Sequence, residues 1–298
     1  MRNRNIRRLA IGLSVAGLAV AGLFAVRVFA GSAPAAKAER ISATADILDS
    51  ARSRLANDCL ARRGLTLPDE VAASGLDLRE FPYGVDDVEW ATSHGYGTDL
   101  MDQAERERKS SPRKLFLDGL PPARRAAILL AMNGAGPRST SVTEARLPSG
   151  GVVRRSSDSC IAEAERELYG DLATWYRVER VTDNLPGIWV AEVLADPAYR
   201  SALGAWATCM RGRGYHYDNP SKAHQDLRTA PGATREREIR TAVAEATCAH
   251  SSGLAATARG LEQRYAASVR TKYADEIETR RRLEEAAVPR ACALLPQC

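Results

Sequence analysis

The residue types in this 298-residue chain with the most distinctive chemistry are cysteine and histidine. Together they can bind zinc, whereas cysteines in an oxidising compartment pair as disulfides. The candidates are the six cysteines Cys59, Cys160, Cys209, Cys248, Cys292 and Cys298 and the four histidines His94, His216, His224 and His250. The spacing of these residues in the sequence bears on whether they bind zinc or form disulfides.

A zinc site would draw on five side chains that lie in one region of the sequence: Cys209, His216, His224, Cys248 and His250. Structural zinc sites usually supply their ligands in closely spaced pairs. No pair here has the spacing of a zinc finger or of a zinc protease. The sequence therefore favours disulfides, and it predicts no metal and no cofactor.

The disulfide pairing is guided by a pattern that recurs in the chain, although fifteen pairings of six cysteines are possible. Cysteine, four residues, glycine and then an apolar or aromatic residue occurs at Cys59, Cys209 and Cys248. It predicts a helix that carries a cysteine near its end and stops at a left-handed glycine. Each such cysteine is expected to pair with one in the next amphipathic helix of its lobe. The predicted bonds are Cys59–Cys160, Cys209–Cys248 and Cys292–Cys298.

Known enzyme motifs are absent from the sequence. It has no G-x-S-x-G, no H-E-x-x-H, no Walker loop, and no G-x-G-x-x-G that opens a helix after a strand. His94 precedes Gly95-Tyr96-Gly97, where it could face a cleft, but histidines at helix ends more often bond the last carbonyl groups. His216 lies between Tyr215 and Tyr217. We therefore expect a non-enzymatic protein. The alternative is a secreted hydrolase of cell wall or carbohydrate with His94 or His216 in its site.

The N-terminal 30 residues have the pattern of an export segment. Residues 1–8 are basic, and residues 9–26 are an unbroken apolar run followed by Arg27 and a small-residue cleavage site at Val28-Phe29-Ala30. Residues 1–30 are therefore a signal anchor that spans the membrane through residues 9–26, or a signal peptide cleaved after Ala30. The basic flank places everything beyond residue 30 outside the cytoplasm.

Charge excludes one class of partner. The net charge of +5 comes from the five arginines of residues 1–30, because the rest of the chain has 37 basic and 37 acidic residues. A nucleic-acid-binding protein would concentrate basic charge in its folded part. No nucleic-acid partner is therefore predicted.

Apolar periodicity predicts a mostly α, bundle-like body after a linker at 31–42. Helices are expected over 43–63, 86–93, from Pro121 to Asn133, from Cys160 to about Thr182, from Pro197 to Gly212 or Gly214, and from Thr234 to His250. Residues 134–156 and 218–233 have the composition of loops, and 184–187 that of a turn. No segment alternates clearly enough to predict a sheet.

The repeated cysteine pattern suggests two disulfide-linked lobes, a first helical lobe at 43–182 and a second at 183–298. The second lobe ends in the longest periodic segment, with apolar residues from Leu254 to Leu283. One helix of about 30 residues, ~45 Å long, is predicted there. It would either pack on the body or project towards a partner.

The pattern Trp206-x-x-Cys209-Met-x-x-x-Gly214-Tyr215-x-Tyr217…Pro220, with Ala246-Thr-Cys248 further on, resembles a group of uncharacterised exported proteins of high-GC Gram-positive bacteria. Many members of that group are lipoproteins, and some accompany membrane-fusion and transporter components. The resemblance covers about the last two thirds of the chain. It implies no catalytic residues, and this chain lacks the lipidation cysteine of the lipoprotein members.

These observations predict a cell-envelope protein, membrane-anchored or secreted, with an extracytoplasmic helical body. We expect the body to act as an interaction or accessory module for an envelope protein partner associated with a transporter or with the wall.

Overall fold

The chain is built from helices and one hairpin. The computed structural model describes residues 33–69, 75–136, 139–229, 234–296 and 298. The elements of the first half are α1 (Ala33–Arg62), α2 (Val88–His94), α3 (Thr98–Lys109), α4 (Pro112–Gly119), α5 (Pro122–Asn133), β1 (Val142–Arg146) and β2 (Val152–Ser156). Those of the second half are α6 (Cys160–Tyr169), α7 (Leu172–Asp183), α8 (Leu185–Ala195), α9 (Pro197–Gly212), α10 (Pro220–Thr229), α11 (Arg235–Ser251), α12 (Leu254–Lys272) and α13 (Ala274–Leu294). The mostly α-helical prediction is confirmed.

Side-chain caps fix several helix starts. The carboxylate of Asp87 accepts a hydrogen bond from Trp90 N, and Ser159 accepts one from Ala162 N. Asp196 does the same at the start of α9, before Pro197. Such a cap satisfies one of the backbone N–H groups that a helix leaves unpaired in its first turn. The predicted starts of α6 and α9 follow from these residues.

Left-handed glycines end all three cysteine helices, as predicted. Gly64 has φ +70°, and Leu65 N bonds back to Leu60 O at 2.9 Å. Tyr215 N makes the same bond to Met210 O at 2.9 Å beyond Gly214. These 6→1 bonds define the Schellman motif. In the third copy Gly253 has φ +78° and bonds back to His250 O at 3.1 Å, and it is also the N-cap of α12, which begins at the next residue.

An antiparallel hairpin lies where the sequence predicts a loop. Strands β1 and β2 pair with Val142 opposite Ser156 and Arg146 opposite Val152. The expectation that the chain forms no sheet was therefore wrong. The strands were missed because neither alternates apolar and polar residues: β1 reads VTEAR and β2 reads VVRRS, and the residues buried in β1 are Thr143 and Ala145.

Four other predicted boundaries need correction. Residues 33–42 of the predicted linker belong to α1, and residues 220–229 of the predicted loop form α10. The turn predicted at 184–187 is the start of α8, whose first turn contains Pro186. The helix predicted from Cys160 to Thr182 is divided at Gly170, where φ is +81°.

The long C-terminal helix is in fact two helices with a break at Tyr273. Helix α12 packs on α8 and α9, whereas α13 packs on α6 and α7. The apolar stripe continues across the break, but its two halves face different partners. A single straight helix could not reach both, and neither helix projects freely from the body.

Four apolar clusters form the core of the unit Ala43–Cys298. The largest surrounds the Cys59–Cys160 bond and joins α1, α5, α6 and α7 to Ala287 and Ala291 of α13. A second surrounds the Cys209–Cys248 bond between α9, α11 and α12. A third joins residues 85–100 to α10 and α11, and the fourth lies between α8 and α12. The clusters therefore cross the predicted lobe boundary at 182/183 in both directions.

None of the helices in the described part of the chain has the length and apolar character needed to cross a membrane. The predicted anchor or signal peptide at 1–30, with its membrane segment at 9–26, lies outside the described residues.

Candidate functional site

All six cysteines are joined in disulfides, in the pairs that the sequence pattern gives. The bonds are Cys59–Cys160, Cys209–Cys248 and Cys292–Cys298, with Cα–Cα distances of 5.5, 5.7 and 5.1 Å. A disulfide-bonded cysteine has no thiolate to offer a metal, so the five-residue zinc set loses two of its ligands. Within the described ranges, no group of three or more histidine, cysteine or acidic side chains is arranged to hold a metal ion.

His94 forms a pair with Asp99 at the end of α2. Its Nδ1 lies 2.9 Å from Asp99 Oδ2, and its ring lies against Trp90. The Arg235 guanidinium is 3.0 Å from the same carboxylate and donates to the carbonyl oxygens of Ser93 and His94. Burial raises the pKa of Asp99, but hydrogen bonds from His94 and the backbone outweigh it and hold the pKa below its usual value.

An orienting carboxylate on Nδ1 is one part of a hydrolase triad, but a nucleophile within reach of the other nitrogen is also required. In the described part of the chain, the His94 ring has no hydroxyl or thiol partner. The hydrolase alternative therefore stays a prediction that rests on this pair alone.

The other three histidines have separate settings. His216 is exposed, beyond the end of α9. His250 Nε2 lies 2.6 Å from the carbonyl oxygen of Asp86. His224 lies on α10, with its ring centroid 4.1 Å from that of Tyr96. The histidines thus contact different neighbours in the described structure and do not form one cluster.

Two glutamates of α11 hold the segment that contains α2, and sequence reasoning missed both. Glu238 Oε1 accepts a hydrogen bond from Tyr96 N at 2.8 Å, and its Oε2 accepts one from the Thr98 hydroxyl at 2.5 Å. Arg235, one turn earlier, lies 3.1 Å from the same carboxylate. The carboxylate of Glu238 is therefore buried together with a cation.

Glu245 lies two turns further along the same face of α11 and is only 1% exposed. Its Oε1 accepts from Val85 N at 2.8 Å, and its Oε2 accepts from the Tyr96 hydroxyl at 2.7 Å. Among the described residues, no lysine or arginine forms an ion pair with it. Burial raises the pKa of Glu245 to about 7, although the bonds from Tyr96 and Val85 act in the opposite direction.

A small cavity of about 30 Å³ adjoins Glu245. It is lined by Phe81, Gly84, Val85, Pro220, Ser221, His224 and Glu245. A single water molecule needs roughly 10–15 Å³ of such space, so the cavity can hold one water beside the carboxyl group of Glu245. It is far smaller than the ~300–1,000 Å³ of a typical small-molecule site.

A second set of buried carboxylates fixes the hairpin. Arg155 of β2 forms a two-pronged ion pair with Glu165 of α6, and its guanidinium lies 4.5 Å from the Tyr176 ring centroid. Glu179 pairs with Arg180 at 2.8 Å. The contacts of Arg155 join β2 to α6 and α7, which is the arrangement of a structural network.

Exposed apolar side chains are concentrated in one part of the chain. Among the described residues, the large apolar ones with exposed side chains are Leu78, Val88, Met101, Leu115, Leu129, Leu130, Val142, Val152 and Leu194. All of these except Leu194 lie within the loop that the Cys59–Cys160 bond closes. The Asp118–Arg125 ion pair, at 3.5 Å, joins α4 to α5, so Leu115 and the two leucines of α5 lie on adjoining helices.

No family model matches the chain, and searches of the curated proteins and of the solved structures find no relative or structural neighbour.

Proposed function

We propose that this chain is a non-enzymatic cell-envelope protein, membrane-anchored or secreted, whose extracytoplasmic body binds a protein partner. The observation that carries the proposal is the group of exposed apolar side chains within the Cys59–Cys160 loop. Solitary exposed apolar residues are common, but a concentration of them on adjoining helices is typical of a protein-binding surface.

The surface that fits this role best is formed by α4 and α5. Leu115 and Leu130 are more than half exposed, and the Ala126 and Ala127 side chains beside Leu130 are also exposed. Small apolar neighbours let a partner helix approach closely, while the leucines supply apolar area to bury. The opposite face of α5 is anchored in the core through Ile128 and Met132. The surface therefore rests on a rigid support.

The C-terminal helices fit this role less well. Leu254, Leu261 and Val269 of α12 are buried, and Ala287 and Ala291 of α13 belong to the largest core cluster. Deletion of 254–288 would remove part of the core itself. A loss of binding after that deletion could not be distinguished from unfolding.

Disulfides support an extracytoplasmic location for the body. Three bonds account for every cysteine of the chain, and structural disulfides persist in oxidising compartments such as the cell exterior. The partner is accordingly expected among envelope proteins associated with a transporter or with the wall.

In-cell crosslinking of the full-length chain tests the proposal. The variant Leu115→Gln/Leu129→Gln/Leu130→Gln replaces the apolar surface of α4 and α5, and Leu194→Gln is the matched control because Leu194 is also exposed but lies outside the loop. We expect a discrete protein adduct that the triple variant loses and the control keeps. Equal urea midpoints would verify that the variants fold. If the triple variant keeps the adduct, this surface is not the binding site.

A further inference from the structure

Residues 81–98, called here the latch segment, cross α11 and are held to it at two points by buried glutamates, and His250 of the same helix also contacts the carbonyl oxygen of Asp86, at 2.6 Å. One point is Glu238, which bonds Tyr96 N and Thr98 and is paired with Arg235. The other is Glu245, which bonds Val85 N and the Tyr96 hydroxyl. The two points differ in charge: among the described residues, Glu238 has a cation beside it, Arg235, whereas Glu245 has none.

An ionised carboxylate buried without a cation is costly, since its charge loses the solvation of water. The other groups that face Glu245 do not remove that cost. Tyr96 donates one hydrogen bond, Tyr199 of α9 interacts electrostatically, and His224 of α10 lines the adjoining cavity. Glu238 on the same helix and Tyr217 act on Tyr96. Ionisation of Glu245 therefore weakens this attachment point, while the Glu238 point keeps its ion pair.

We propose that Glu245 makes the latch segment pH-sensitive: the neutral carboxyl group keeps the Val85 end closed on α11, and the ionised carboxylate favours its opening. The cavity beside Glu245 has room for a water molecule that accepts a hydrogen bond from the O–H of the neutral carboxyl group. The Thr98 end stays attached through Glu238 and Arg235. Opening exposes the apolar side chains of Val85 and Trp90, which are buried in the closed form.

The direction of the effect follows from proton binding. The closed form holds a proton on Glu245 up to about pH 7, whereas a solvated glutamate releases it near pH 4.3. Between these values the closed form binds one more proton than the open form, so opening increases about tenfold per pH unit. Above roughly pH 8 both forms are ionised, and the population of the open form levels off.

Hydrogen–deuterium exchange of the full-length, disulfide-bonded chain tests this inference. Protection of peptides covering 81–91, corrected for intrinsic exchange, should fall by tens of fold from pH 5 to pH 7 and change little above pH 8. Peptides of α6 and α7 serve as the internal reference. Protection at 81–91 that does not change with pH would overturn the proposal.

Two matched variants separate Glu245 from its neighbour. Glu245→Gln stays neutral, so protection at 81–91 should lose its tens-of-fold dependence on pH, and only a dependence from the His250 contact with Asp86 O can remain. Glu238→Gln weakens the Thr98 end but should keep the pH dependence. The proposal fails if Glu245→Gln responds to pH as the wild type does. If Glu245→Gln does not fold, the chemical shift of the carboxyl carbon of wild-type Glu245 is followed by NMR as the pH is changed. A titration midpoint near pH 7 supports the proposal, and a midpoint near pH 4 contradicts it.

Discussion

At the scale of single residues, Gly84 is a position where the backbone passes close to the buried carboxyl group of Glu245. Its φ is +103°, and an added Cβ would lie 2.6 Å from Pro220 Cγ and 2.9 Å from Glu245 Oε1. Only glycine accepts both the positive φ and this contact. The close approach also places Val85 N at hydrogen-bonding distance from Glu245.

Replacement of Gly84 by alanine should therefore destabilise the protein through two separate effects. The backbone conformation costs a residue with a side chain about 1–3 kcal/mol, and overpacking adds a further ~1–3 kcal/mol. Gly150→Ala is the matched control, because Gly150 has a similar φ of +98° but no atom within 4 Å of an added Cβ. Urea unfolding should show a clearly larger loss for Gly84→Ala. Equal losses would mean that the contact at Gly84 relaxes freely.

Cysteine pairing could be predicted from the sequence, whereas the buried glutamates could not. A cysteine before a glycine stop is a local signal, and it pointed to the bonds at Cys59 and Cys209. Glutamate is almost never fully buried unless it is paired, so sequence analysis assigns it to the surface by default. Glu245 is buried because Val85 and Tyr96, far away in the sequence, supply its donors. The only local sign that Glu245 faces inwards was its spacing of seven residues from Glu238, which places both glutamates on the same face of α11.

At the scale of elements, the hairpin depends on one buried ion pair. Arg155 of β2 pairs with Glu165 of α6, whose side chain is 2% exposed. Removal of the guanidinium would leave the carboxylate without its closest cation, and breaking a buried pair in this way costs about 3–5 kcal/mol. Arg52, at 3.9 Å, remains as a weaker partner. We therefore expect Arg155→Met to lower the free energy of unfolding by about 3 kcal/mol.

The neighbouring arginine provides the control for that prediction. Arg154 pairs with Glu144 across the hairpin, and both side chains are more than half exposed. Exposed pairs contribute about 0–1 kcal/mol, so Arg154→Met should change the urea midpoint little. If the two variants lose the same stability, the Arg155–Glu165 pair does not anchor the hairpin.

Helix ends were predictable where a local signal marks them, and this explains which elements the sequence analysis missed. Caps such as Ser159 and Asp196 and stops such as Gly64 act within one turn. The hairpin and the break at Tyr273 depend instead on distant partners: β1 packs on α7, and α13 packs on α6 and α7. Periodicity gives the buried face of a helix but does not tell which element covers it.

At the scale of the whole molecule, packing joins parts of the chain that the sequence assigned to different lobes. Ala287 and Ala291 of α13 complete the cluster around Cys59–Cys160, while Val85 and Trp90 pack on α11. The two longer disulfides each lie within one cluster: Cys59–Cys160 closes the loop that carries Val85 and Trp90, and Cys209–Cys248 closes the loop that carries most of α11, on which these two residues pack. They therefore restrict how far the unfolded chain can separate elements that must pack together.

The three disulfides should consequently differ in their contribution to stability. Their sequence separations are 101 residues for Cys59–Cys160, 39 for Cys209–Cys248 and 6 for Cys292–Cys298. In the chain-entropy model these loops correspond to roughly 4.7, 3.9 and 2.2 kcal/mol. Paired Cys→Ala variants compared by urea unfolding should lose stability in that order. The Cys292–Cys298 pair should also be reduced first by a titrated thiol, because Cys298 is exposed while Cys59, Cys160 and Cys248 are buried. If loss of Cys292–Cys298 is as damaging as loss of Cys59–Cys160, then native contacts at the C-terminus, and not loop closure in the unfolded chain, set the contribution of that bond.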